Sequence, residues 1–373
     1  MSEARKRILA MLAEGKINVE QSEDLLSALE NDEKRKTATP ESQPASGRPP
    51  LTEEIAKFAE NMQKTMRDAM RKVEPPSREL KSRLKEFGSW MQDMVGSAVN
   101  DFAHARGQPL DGVEIDIELG EPVGFSSCGR CHIDNLFGAV RVIEGSAFAL
   151  RIRGRISRSA LGTVAPKAWF ETNAVRVEQD TAFIGISRSA PVKAVLELEL
   201  TLPKGLKLDF ETDSASVKVA GAFGVGQIQT ISGDVMLRHV EIEDGGIDTV
   251  SGDISLESGA VRGKLRSTSG NVILKSARLA AVLVHTISGD VLVSGADIGD
   301  VTDLSIETTS GDVAIEHVHG PWRRIDAGTR TGDLELRWQG VSRQSGGAGT
   351  IVESGQSGAA FRVMSTSGDI TFA

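Results

Sequence analysis

The tetrapeptide Ser-Gly-Asp-Val, with conservative exchanges, returns through the C-terminal half of the chain. It stands at 232–235, 251–254, 269–272, 288–291, 310–313, 331–334 and 367–370. Successive Asp or Asn positions lie 19, 18, 19, 22 and 21 residues apart, followed by one step of 36. A unit of that size cannot bury its own apolar face, so copies must stack. Repetition also weighs against catalysis, because a residue present in every unit is framework before it is a site.

The flanks repeat as well. Two residues before each Ser or Thr stands a small hydroxyl residue, such as Thr230, Thr249, Ser267 or Thr286. Four before stands an apolar one, such as Ile228, Ile247, Leu265 or Val284, and apolar residues follow at three and five, as in Val235 and Leu237. Period-two alternation on both sides of a Gly-Asp bend predicts two short half-buried strands per unit. The glycines Gly233, Gly252, Gly270, Gly289, Gly311, Gly332 and Gly368 are expected to supply unusual backbone angles. The polar residues Asp234, Asp253, Asn271, Asp290, Asp312, Asp333 and Asp369 are expected to bond their own backbone at the turn. Worn copies extend the array upstream, over 210–219 and 133–142. Residues 110–373 therefore read as one mainly-β repeat domain, a parallel β-solenoid of about two or three strands per turn. Stacked β-hairpins are the alternative, since a Gly-Asp loop also closes hairpins.

Composition agrees with thin stacked rungs. Aromatic residues are 4% of the 373, Tyr is absent, and Gly numbers 39. A formal charge of −9 and the lack of a recognition motif argue against nucleic acid as a partner. The first residues lead into a periodic helix and not the apolar core of a signal peptide. No apolar run approaches the ~18–20 residues needed to span a bilayer. Cytoplasmic location is the expectation.

Ahead of the repeats the pattern is helical. Residues 1–32 read as a small helical hairpin, with Ile8, Leu9 and Leu12 on one face and Leu25, Leu26 and Leu29 on the other helix. Residues 33–50, with four prolines, read as a flexible linker. Residues 51–106 carry two apolar stripes at helical spacing, one including Phe58, Met62 and Met66, the other Phe87, Met91 and Met94. Met-rich faces adapt to partners, and basic residues cluster near the bend at Pro75-Pro76. The plain reading is a helical hairpin packed on itself or on the first rung with its charges solvated; the sharper alternatives are contact with a second copy, with a protein partner, or with the inner membrane face.

Three constellations suggest chemistry. Cys128-Gly129-Arg130-Cys131-His132 has the spacing of a c-type haem attachment, but no export signal accompanies it. Cys128 and Cys131 are read first as structural thiols, with a redox or metal pair as the sharper alternative. A column of carboxylates ~4.8 Å apart invites Ca²⁺, yet the calcium-binding Gly-Gly-x-Gly-x-Asp repeat is missing and Asn271 occupies the same place. His317 and His319 would share a strand face, without a visible third ligand. No catalytic residue, cofactor or metal is assigned.

The Thr-x-Ser-Gly-Asp-Val-x-Leu units between Gln229 and Phe372, with the lead-in Leu202-Pro203-Lys204-Gly205-Leu206-Lys207-Leu208, resemble the bacterial β-strand-repeat family called "putative adhesin", a domain of unknown function. The hairpin from Ile8 to Ile17 and the Leu-Leu helix after it resemble a YvlB/LiaX-type N-terminal domain. The resemblance implies a non-enzymatic bacterial scaffold or sensor accessory, with some relatives linked to envelope stress. A self-assembling polymer, and an adhesin, carbohydrate-binding or carbohydrate-active protein, are the alternatives.

Overall fold

The computed structural model describes residues 112–186, 192–338, 341–346, 349–355 and 357–373, with the side chains of 300–302 excepted. The helical hairpin at 1–32, the linker at 33–50 and the amphipathic region at 51–106 lie outside the described residues.

The first part of the domain holds β1 (Gly112–Leu119), β2 (Arg130–Glu144), β3 (Ala149–Ser157), α1 (Arg158–Leu161), α2 (Pro166–Asn173), β4 (Val175–Glu178), β5 (Thr181–Gly185), β6 (Ala194–Leu202) and β7 (Lys207–Ala220). Long and short strands then alternate: β8 (Gly224–Thr230), β9 (Val235–Arg238), β10 (Glu241–Thr249), β11 (Ile254–Glu257), β12 (Ala260–Ser269), β13 (Val272–Lys275), β14 (Arg278–Ser288) and β15 (Val291–Ser294). The end comprises β16 (Asp297–Ser310), β17 (Val313–Glu316), β18 (Trp322–Thr331), β19 (Leu334–Trp338), β20 (Val341–Ser345), β21 (Gly349–Ser354), β22 (Ala359–Ser367) and β23 (Ile370–Phe372).

Each repeat is one rung, and the Ser-Gly-Asp bend joins its long strand to its short one. The two strands of a rung pair not with each other but with their counterparts in the next rung, in parallel and in register. The bend is therefore an arch and not a hairpin. Long strands stack along one side and short strands along another, joined into one 23-stranded sheet through β7, and the apolar positions of both face a common core. Ile247 and Leu265 from the long strands, and Ile254 and Leu256 from the short ones, are fully buried. The worn copies fit the same frame: β2 and β7 pair in parallel with Ile133 opposite Phe210 and Val142 opposite Val219.

The fold as a whole is mixed, because the ends are antiparallel. At one end β1 pairs with β3, β3 with β6, and β4 with β5. At the other β20 pairs with β19 and β21 with β18. The scarce aromatic residues gather at these ends. Trp322 and Trp338 stack with ring centres 6.2 Å apart, and Trp338 meets Phe361 edge-on at 5.0 Å.

The step of 36 residues has a topological cause. The last repeat does not extend the array in chain order. Strand β22 pairs in parallel with β16 on one side and β18 on the other, and β23 lies between β17 and β19. The chain first builds the outermost rung, turns back through β20 and β21, and then slots its final rung inside. Cysteines test this order directly. In a chain lacking Cys128 and Cys131, Ala314→Cys with Thr371→Cys occupies paired positions, within disulfide reach. Oxidation is expected to cross-link that pair in full, as read by gel shift and mass spectrometry. Ala314→Cys with Glu335→Cys, which a chain-order stack would pair, is expected to remain reduced.

Candidate functional site

The turn residues form a ladder along one edge of the rungs. Asp234 Oδ1 accepts a hydrogen bond from the backbone N–H of Asp253 at 3.0 Å, and Asp253 Oδ1 accepts from Asn271 N–H at 2.7 Å. The series continues from Asn271 to Asp290, Asp290 to Asp312, Asp312 to Asp369 and Asp369 to Asp333, all at 2.7–2.9 Å. Six of the seven side chains, from Asp234 through Asp369, thus bond the backbone of a neighbouring rung, where a bond within the turn itself was expected. That role explains Asn271, whose amide oxygen accepts as a carboxylate oxygen does. The ladder also follows the spatial order of rungs, passing through Asp369 before Asp333.

The glycines, too, act between rungs. A Cβ on Gly252 would lie 2.3 Å from the carbonyl oxygen of Gly233, and one on Gly289 would lie 2.1 Å from that of Gly270. Close approach excludes a side chain here, and Gly311, Gly332 and Gly368 add the expected unusual backbone angles, with φ of 153–159°. Small hydroxyls complete the bend. Thr329 Oγ1 donates to the Gly368 carbonyl at 2.8 Å, and Ser267 Oγ to that of Gly252 at 3.4 Å.

The residues that do not repeat lie on the outer face of the long-strand side. One row across it, in register, passes through Asp134, Glu211, Gln229, Asp248, Arg266, His285, Glu307 and Met364. Side-chain chemistry varies along this row, which opens with two carboxylates, Asp134 and Glu211, and includes the cation Arg266. Near its middle, β-bulges in β10 and β12 bend the strands beside a groove that includes Gln227, Asp248, Lys264 and Arg266. Asp248 is buried, accepts from Gln227 Nε2 at 2.7 Å and lies 3.7 Å from Arg266 Nη1. Burial raises its carboxyl above the usual range, opposed by Arg266 and by the Gln227 bond.

The Cys-x-x-Cys-His segment is divided by strand alternation. Cys128 precedes β2; Cys131 points into the core with no exposed surface, and His132 faces outward. Burial pushes the Cys131 thiol up to about 12 and also raises that of Cys128, with a smaller effect from Asp180. Neither thiol is activated. His132 instead joins Asp134 and Glu211, whose donor atoms all lie within 4.8 Å of one another. The Asp134 carboxylate, 2.9 Å from Nε2, raises the His132 pKa above its ordinary value. This grouping was not visible in the sequence because Glu211 is brought across from β7, 77 residues beyond Asp134.

A family model described as Toastrack DUF4097 matches residues 177–373, more than half of the chain. The chain belongs to that family. Four solved chains also match, two of which are described. One is described as a "putative adhesin" from Bacteroides fragilis NCTC 9343, 14% identical, with a TM-score of 0.40, covering 70% of this chain and 97% of that one. The other is a "putative cell adhesion protein" from Clostridium sporogenes ATCC 15579, 12% identical, with a TM-score of 0.19 and coverage of 69% and 99%. Likeness this remote carries nothing about binding or location. No curated protein matches.

In this Toastrack domain the sequence-predicted turn residues line up along one edge of the rungs, whereas His317 and His319 do not form a pair on one strand. His317 occupies a left-handed turn after β17, at φ 52°, and His319 lies beyond that strand, so they share no strand face. The stripes containing Phe58, Met62, Met66, Phe87, Met91 and Met94 lie outside the described residues. Among the described residues no helix is long and apolar enough to cross a membrane.

The Toastrack ladder makes distinct forecasts for charge and shape. Asp290→Asn retains an acceptor and is expected to change stability by no more than about 0.5 kcal/mol. Asp290→Ala strands the Asp312 N–H and is expected to cost about 1 kcal/mol. Gly289→Ala drives a methyl into the preceding rung and is expected to cost about 1–3 kcal/mol. Denaturant unfolding of the three variants measures all of these effects.

Proposed function

We propose that this protein is a non-enzymatic bacterial scaffold or sensor accessory whose outer long-strand face receives one extended protein partner. One observation carries the reading. The recurring Thr, Gly, Asp and aliphatic residues are engaged in rung-to-rung contacts, whereas the outer-face row varies at each rung. A surface whose side chains differ from strand to strand, ~4.8 Å apart, favours one partner in one register. A carbohydrate-active site would need acidic residues placed for chemistry. The repeated ones here each commit an oxygen to the neighbouring backbone. The stripes at 51–106 supply the second contact, to the same partner or to the inner face of the membrane, and the working location is cytoplasmic. A role in the response to envelope stress follows from the family resemblance and belongs to the same proposal.

Polymerisation through the ends is the less favoured reading. Among the described residues, the edge strands β1, β4, β20 and β21 are antiparallel additions that break the parallel pattern a neighbouring rung would continue. Edge strands carrying charge, as at Arg343 and Glu353, discourage further pairing.

Cross-linked capture from the native cell tests the proposal, with full-length protein beside Lys264→Glu and a deletion of 51–106. Lys264 is exposed on the outer face. Its reversal is expected to reduce recovery of one specific protein at least tenfold while the melting temperature stays unchanged, and the deletion is expected to reduce it as well. Equal recovery with Lys264→Glu, or filaments in place of a complex, would overturn the reading.

A further inference from the structure

We propose that His132, Asp134 and Glu211 form a binding site for one divalent first-row cation, Mn²⁺ or Zn²⁺, that clamps β2 to β7 on the outer face.

The backbone sets up the geometry. His132 and Asp134 are alternate residues of β2 and therefore point the same way, while Glu211 stands directly opposite Asp134 on β7. Three donors on two adjacent strands occupy one triangular patch, and all are half-buried. Their chemistry, one imidazole and two carboxylates, suits Zn²⁺ and Mn²⁺ better than soft ions, with water completing the coordination.

One observation favours a cation over a plain ion pair. His132 Nε2 and Asp134 Oδ1 are 2.9 Å apart, yet Asp134 Oδ1 is buried without a hydrogen-bond partner. Short separation without a hydrogen-bonding angle is what two donors aimed at a third point produce. Neighbouring ligands in octahedral coordination, each ~2.1 Å from the metal, lie ~3.0 Å apart. Asp209, opposite His132 on β7, is engaged elsewhere: it lies 3.4 Å from Arg130 and accepts from the Gln227 N–H at 2.9 Å. The Phe183 ring, 5.6 Å from that of His132, packs beside the imidazole.

Tag-free full-length protein, stripped with chelator, is titrated with MnCl₂ and with ZnCl₂ by calorimetry, and the Mn²⁺ complex is studied by pulsed EPR. One ion per chain is expected. His132→Gln and Asp134→Asn are each expected to weaken binding at least ~10-fold. The EPR signal is expected to show coupling to one imidazole nitrogen, a measurement on the unaltered protein that stands even if a variant fails to fold. Absence of a one-to-one site, full affinity in His132→Gln, or Mn²⁺ without nitrogen coupling would overturn the proposal. So would Zn²⁺ binding that is lost in Cys128→Ser but kept in His132→Gln.

Discussion

Everything in the repeat domain depends on how closely one arch approaches the next. Turn backbones are close enough that a methyl on Gly252 or Gly289 would fall within 2.3 Å of the preceding carbonyl oxygen. That proximity lets each Asp or Asn oxygen reach the following backbone N–H. It also holds both runs of strands in parallel register, so that like aliphatic side chains stack on like. A single steric condition thus links glycine to turn polarity, strand pairing and core. Because the condition holds between rungs, the motif makes sense only as a series.

The period, the strand alternation and the buried aliphatic positions were legible because they recur in one dimension. Ile247, Leu265 and Val284 are marked by their offset from the motif, and all are buried as that offset implies. The function of Asp was only half legible. Sequence revealed a turn residue, but its hydrogen bond belongs to a neighbour 18–57 residues away. The second bend of each rung left no motif. It places His239, Ser258, Ser276, Gly295 and His317 in the left-handed region, with φ of 51–62°. Five equivalent positions tolerate such different residues because each also gains an inter-rung backbone bond, as from Ser258 N–H to the Lys275 carbonyl.

Chain order misleads most at the C-terminus. The final repeat matches its predecessors in sequence but sits between two of them, so the 36-residue step is the length needed to pass around the outermost rung and return. The outer-face grouping of His132, Asp134 and Glu211 was hidden for a related reason. Cys128-Gly129-Arg130-Cys131-His132 reads as one motif along the chain, but the pleat turns Cys131 inward and gives His132 to a partner from β7.

Amide hydrogen exchange at the turns tests the central claim most directly. The backbone N–H groups of Asp253, Asn271, Asp290, Asp312, Asp369 and Asp333 sit at bends near the surface, where exchange is ordinarily fast. If each is held by the preceding rung's side chain, all six exchange slowly and as a cooperative set, Asp369 and Asp333 included. Fast exchange at these positions, with protection confined to the flanking strands, would contradict the account.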